Sequence, residues 1–84
     1  MTMVDVTLIG PISEAAGTRK TQAAASTVGE LLDVLSTRYG PVFTKRARAS
    51  RIVVNGTPIQ FKQGHKTPLN AGDEVAFLVP VGGG

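Results

Sequence analysis

The stretch Thr27-Val28-Gly29-Glu30, followed by Leu31, Leu32 and Leu35, constrains the fold more than any other feature of the chain. A threonine with a glutamate three residues later forms a capping box, whose hydroxyl and carboxylate satisfy backbone N–H groups that a helix start leaves without partners. Val28, Leu31, Leu32 and Leu35 then recur at i, i+3, i+4 and i+7, laying one apolar stripe along the helix. Gly40-Pro41 supplies the stop, so a helix is expected from Val28 to Tyr39. A helix with a single apolar side must bury it against another layer, and 84 residues have room for one modest core. That layer is expected to be a sheet.

The flanking segments supply the strands. Val4, Val6 and Leu8 alternate with Asp5 and Thr7, which reads as a strand over Met3 to Ile9, broken by Gly10-Pro11. Ile12 to Gly17 is expected to make a helical turn, and Thr18 to Ala25 a weakly patterned second strand. After the helix comes a basic connection containing Phe43, then a buried strand from Arg51 to Asn55. Asn55-Gly56 is a hairpin signal because both turn residues tolerate positive φ, and Thr57 to Phe61 is expected to return antiparallel. Lys62 to Lys66 reads as a polar loop, Pro68-Leu69 as a short edge piece and Ala71-Gly72-Asp73 as a second turn. Glu74 to Val79 is the last strand, with Val75, Phe77 and Val79 on one face and Ala76 and Leu78 on the other. The expected class is α+β: a mixed sheet of about five strands curled around one main helix, with the right-handed crossover that a strand–helix–strand unit prefers. One domain is expected over residues 1–81, followed by a flexible glycine tail over 82–84.

Composition excludes several functions. The chain has no cysteine and one histidine, His65, which leaves no thiolate metal site, no thiol nucleophile and no histidine-based triad. Its apolar runs fall short of the roughly 20 residues of a membrane helix, and Met-Thr-Met-Val-Asp lacks the features of a secretory signal, so the cytoplasm is the expected location. Asp73 and Glu74 read as turn and strand-edge residues, without the third group an acid/base pair would need. The net charge of +3 is unevenly spread, since no acidic residue lies between Asp33 and Asp73, where Arg38, Lys45, Arg46, Arg48, Arg51, Lys62 and Lys66 fall. This stretch reads as a solvated basic face or as a docking surface for an acidic partner. The four aromatic residues, Tyr39, Phe43, Phe61 and Phe77, supply a nucleic-acid stacking platform poorly.

The segment Leu78-Val79-Pro80-Val81-Gly82-Gly83-Gly84 carries the functional signal. Terminal glycines can be plain fraying sequence. Here they follow a strand directly, through Pro80, whose ring fixes φ and directs the exit. Three glycines can pass where a Cβ would clash, and Pro80 to Gly84 extend at most about 17 Å at roughly 3.3–3.6 Å per residue. That reach places a terminal carboxylate inside another protein's active site while the body docks outside. Near neutral pH a carboxylate is an anion and a poor electrophile, so acyl chemistry requires activation, most simply as an acyl-adenylate formed from ATP. The chain has no P-loop and no glycine-rich phosphate motif, so no cofactor is expected on it, and a partner must bind the ATP.

Taken together, these segments resemble the ThiS/MoaD family of ubiquitin-like sulfur carriers, and most of all its molybdopterin synthase small subunits. The resemblance is carried by Val4-Asp5-Val6-Thr7-Leu8, Glu14-Ala15-Ala16-Gly17, Thr27-Val28-Gly29-Glu30-Leu31-Leu32, Val53-Val54-Asn55-Gly56, Gly72-Asp73-Glu74-Val75-Ala76-Phe77-Leu78 and the terminal diglycine, in that order. It implies the β-grasp fold and adenylation of Gly84 by an adenylyltransferase related to ubiquitin-activating enzymes. A sulfurtransferase or other sulfide source would then convert the adenylate to a thiocarboxylate. In the molybdopterin branch a large, MoaE-like synthase subunit receives the tail. On that carry-over Gly84 bears the sulfur, Gly83 fits a narrow channel, and Phe77, Leu78, Val79, Pro80, Val81 and Gly82 meet the partner. The chain departs from the molybdopterin members in having Val79-Pro80 where they carry two prolines, glycine at Gly82, and a basic balance. Delivery to cysteine, thiamine, transfer-RNA thiolation or siderophore synthesis, conjugation to target lysines, and a plain basic binding module remain alternatives.

Overall fold

The computed structural model describes residues 2–79. The chain runs β1 (Met3–Ile9), α1 (Pro11–Ala16), β2 (Lys20–Ala24), α2 (Val28–Tyr39), α3 (Pro41–Arg48), β3 (Arg51–Val54), β4 (Thr57–Pro58) and β5 (Glu74–Leu78), with short 3-10 turns at Ile59–Phe61 and Gly64–Lys66. The strands form one sheet in the order β2-β1-β5-β3-β4. β1 and β5 are parallel at its centre, and the other neighbours are antiparallel. One sheet face carries Val4, Val6, Leu8, Ala23, Ile52, Val54, Val75 and Phe77, which share the core with Val28, Leu31 and Leu35 of α2. Leu32 is only partly buried at the edge of that stripe.

The start of α2 is built as its sequence predicts, with one adjustment. Thr27 Oγ1 accepts the Glu30 N–H at 3.1 Å, while the Glu30 carboxylate accepts the N–H of Ser26 at 3.2 Å, one residue further back than in the usual box. The basic connection after α2 is the main departure, because it is a helix. Pro41 sits at the first position of α3, where a missing N–H costs nothing. Phe43 and Ala47, one turn apart, are its buried residues. The Phe43 ring lies 5.2 Å from that of Tyr39 and 6.4 Å from that of Phe77, so it joins α2, α3 and β5. Arg46 donates to the Pro11 carbonyl at 2.6 Å and ties α3 to α1.

The hairpin after β3 forms with φ of 49° at Asn55 and 86° at Gly56, the left-handed pair that an Asn-Gly turn allows. Its return strand is shorter than expected, covering Thr57–Pro58 instead of reaching Phe61. Pro58 has no N–H to extend a ladder, and the chain coils into the 3-10 turn immediately after it. Pro68 pairs with Thr27 as an isolated bridge, and Leu69 beside it is buried in the core. The last strand ends at Leu78, one residue before the expected limit, although the Val79 N–H still donates to the Ile9 carbonyl at 3.2 Å.

Asp73 locks the turn before β5 to the Asn55-Gly56 hairpin. Its carboxylate accepts the Asn70 N–H at 2.8 Å and the Asn55 side-chain amide at 3.0 Å, while the Asn55 side-chain oxygen accepts the Glu74 N–H at 2.9 Å. The backbone bond from Asn70, then the amide of Asn55, hold the Asp73 carboxyl below its ordinary value of 3.8. A depressed folded-state pKa adds stability that is complete above the unfolded value and is lost as pH falls through the folded one. Asp73→Asn is therefore expected to cost about 1 kcal/mol at neutral pH and to lose less stability than the native chain on acidification to about pH 3. Urea unfolding of both proteins at the two pH values checks this; equal acid losses would contradict it.

Candidate functional site at the tail root

Of the residues expected to act, Pro80, Val81, Gly82, Gly83 and Gly84 lie outside the described residues. The three expected partner-facing residues before them separate clearly. Phe77 is fully buried, packed on Phe43 beneath the helices, and is a core residue rather than a docking residue. Strand parity had left open which of Phe77 and Leu78 faces outward, and the pairing decides it. Leu8 and Ile52, both buried, flank Phe77, whereas Leu78 stands between Ile9 and Arg51 on the opposite face. Val79 is half-buried and packs against the core margin.

The face of the sheet opposite the helices is where Leu78 emerges. Because β1 and β5 run parallel, their C-terminal ends lie together, and Ile9 beside Leu78 marks the root of the tail. Arg51 and Val53 of β3 continue this surface through their pairing with Leu78 and Ala76. Ile9 is 45 % exposed, and with Leu78 and Val53 it makes this end of the face apolar. Further along, the same face turns polar, with Asp5 and Gln22 hydrogen-bonded across β1 and β2 and Glu74 next to Asp5. The middle of the face is thus polar, between Ile9 and Leu78 at the root of the tail and exposed Met3 at the opposite end. Ile9 and Val53 were not anticipated, and Arg51 was expected only as part of the basic stretch. Ile9 was detectable as the one aliphatic residue among the outward Asp5 and Thr7, but the neighbours of Leu78 depend on register.

A five-stranded mixed sheet wrapped on one side by helices, with first and last strands parallel at its centre and a tail leaving the last, is the β-grasp arrangement of ubiquitin-like proteins. Within that class the chain belongs to the ThiS family, whose sequence pattern matches residues 6–84. No curated protein matches it. Among solved structures it is similar to the small archaeal modifier protein 1 (SAMP1) of Methanosarcina acetivorans, with 28 % identity, a TM-score of 0.89, and coverage of 100 % of this chain and 98 % of that one. It is also similar to a chain of the complex of subunits 1 and 2 of molybdopterin-converting factor from Helicobacter pylori, at 29 % identity and a TM-score of 0.73, covering 99 % and 100 % of the two chains. A chain of the Amycolatopsis orientalis BexX/CysO complex shares the fold, with 23 % identity, a TM-score of 0.83 and coverage of 96 % and 99 %. The fold is that of the ubiquitin-like sulfur carriers. Among the described residues no helix is long and apolar enough to cross a membrane.

Proposed function

We propose that this protein is a sulfur carrier that works through the carboxylate of Gly84. The observation that carries the reading is the ThiS-family match running to Gly84, together with an open apolar face at the root of the glycine tail. In this reading a partner adenylyltransferase binds ATP and the body of the carrier. The Gly84 carboxylate attacks the α-phosphorus, forming an acyl-adenylate and releasing pyrophosphate. Sulfide then displaces AMP at the acyl carbon to give the thiocarboxylate; where a sulfurtransferase presents the sulfur as a persulfide, the acyl disulfide first formed is cleaved by a second thiol, which leaves as the disulfide. This chain contributes the reacting carboxylate, a tail thin enough to enter a channel, and a docking surface around Ile9, Val53 and Leu78. No cofactor resides on it.

The acceptor we favour is the dithiolene of molybdopterin, with the protein acting as the small subunit of the synthase beside a large MoaE-like subunit. The motif set and the likeness to one chain of a two-subunit molybdopterin-converting factor support it. Disrupting the gene in its host is expected to bring molybdopterin to background; normal molybdopterin without a second copy of the gene would remove this pathway and leave the carrier chemistry standing. The likeness to a small archaeal modifier protein favours a second reading, conjugation of Gly84 to lysines, because an amine can attack the same adenylate. It requires cellular lysines carrying the C-terminal peptide of this chain in isopeptide linkage, which after trypsin runs from Thr67 to Gly84, and their loss when Gly84 is deleted.

A further inference from the structure

A second surface lies apart from the tail. Between the C-terminal half of α3 and the outer edge of β3 lies a cleft of about 310 Å³. It exists because β4 stops at Pro58: the ladder on that side of β3 covers only Val53 and Val54, and the chain then coils away. Buried Ile52 and half-buried Ile59 contribute its apolar lining. Arg48, Arg51 and His65, all exposed, surround it with cationic and polar groups, and Gln60 adds an amide. No aspartate or glutamate lines it, and none occurs between Asp33 and Asp73 in the sequence. Two other arginines of this half are committed to the fold, Arg38 to Thr21 and the Gln22 carbonyl, and Arg46 to the Pro11 carbonyl.

We propose that this cleft receives a short acidic segment of a partner protein, with one aliphatic side chain over Ile52 and Ile59 and flanking carboxylates on Arg48 and Arg51. A guanidinium presents a planar fork of donors that matches a carboxylate in two parallel hydrogen bonds. An apolar floor beneath such a fork selects a peptide in which acidic and aliphatic residues adjoin. A nucleic-acid strand fits the site less well, because the lining contains no phenylalanine or tyrosine on which bases could stack. The cleft is also small, at the lower end of the roughly 300–1,000 Å³ typical of ligand pockets, which suits a few side chains. Arg51 pairs with Leu78, so the cleft borders the docking face and a partner lying on that face can extend an acidic segment into it. The proposal stands independently of the chemistry at Gly84.

The test is an amide-resolved NMR titration of the intact chain with a blocked pentapeptide, Glu-Asp-Leu-Asp-Glu, against its uncharged counterpart Gln-Asn-Leu-Asn-Gln. Saturable shifts are expected at Ala47 to Val53, Ile59, Gln60, Gly64 and His65, with the uncharged peptide weaker by about tenfold or more. The Arg48→Glu, Arg51→Glu double variant is expected to lose a similar factor, while Arg48→Lys, Arg51→Lys retains most of the affinity. The peptide comparison uses unaltered protein, so it decides the matter even if the charge-reversed variant folds poorly. Absence of saturable shifts, equal response to the two peptides, or shifts spread over the whole basic surface would overturn the proposal. So would an oligothymidylate probe that binds the same residues more tightly than the acidic peptide.

Discussion

Phe43→Ala is expected to destabilise the protein by about 3–5 kcal/mol, the usual cost of emptying a fully buried aromatic site. Phe43 has no exposed surface and stands where three elements meet, touching Tyr39 at the end of α2 and Phe77 in β5. Small domains hold only about 5–15 kcal/mol in total, so this one truncation removes a large part of the stability. The cavity would open beneath the strand that carries the tail, and α3 would keep only Ala47 as a buried anchor. Phe61→Ala is the matched control, since Phe61 is 74 % exposed and its loss is expected to stay within about 0.5 kcal/mol. Urea unfolding of the two variants checks the pair. Similar losses at both positions would show that Phe43 does not hold α3 to the sheet.

The second large effect concerns docking. Ile9→Glu combined with Leu78→Glu places two carboxylates where the open face is apolar, at the root of the tail. Buried apolar anchors at interface centres are each worth about 2 kcal/mol or more, so the double variant is expected to lower the efficiency of adenylation at Gly84 by about a hundredfold or more. Stability is expected to change little by comparison, because both side chains face away from the helices. Asp5→Ala, in the polar middle of the same face, is expected to leave adenylation within about threefold of native, as peripheral charges contribute little. Pyrophosphate release with the host's activating enzyme measures both. An unaffected Ile9, Leu78 double variant would mean that the partner approaches from another side.

How legible these features were in the sequence follows from what each depends on. The helix Val28–Tyr39 was readable because its cap, stripe and stop are all local. The central strands were readable because alternation is local too. Helix α3 was missed because it buries only Phe43 and Ala47, with Lys45, Arg46 and Arg48 between and beside them, so no stripe stands out. A glycine-proline pair followed by apolar residues at i and i+4 was the available clue. The shortened β4 turns on Pro58, a residue that allows a strand to begin but offers no N–H to continue it. The role proposed for the glycine tail rests on residue type alone. The open face at its root was not legible, because strand parity separates Phe77 from Leu78 without saying which of them meets the helices. Only the register, Leu8 beside Phe77 and Ile9 beside Leu78, resolves that. The cleft behind α3 was invisible for the same reason as α3 itself.

The central claim is that Gly84 carries sulfur, and the mass of the intact protein from its own host tests it most directly. The account predicts a species in which one oxygen is replaced by sulfur, a gain of about 16 Da, localised by fragmentation to the carboxyl of Gly84. The same species is expected when the purified chain is given its activating enzyme, ATP and a sulfur source. A chain that keeps the plain carboxylate under both conditions would contradict sulfur carriage and leave the β-grasp body as a modifier or a binding module.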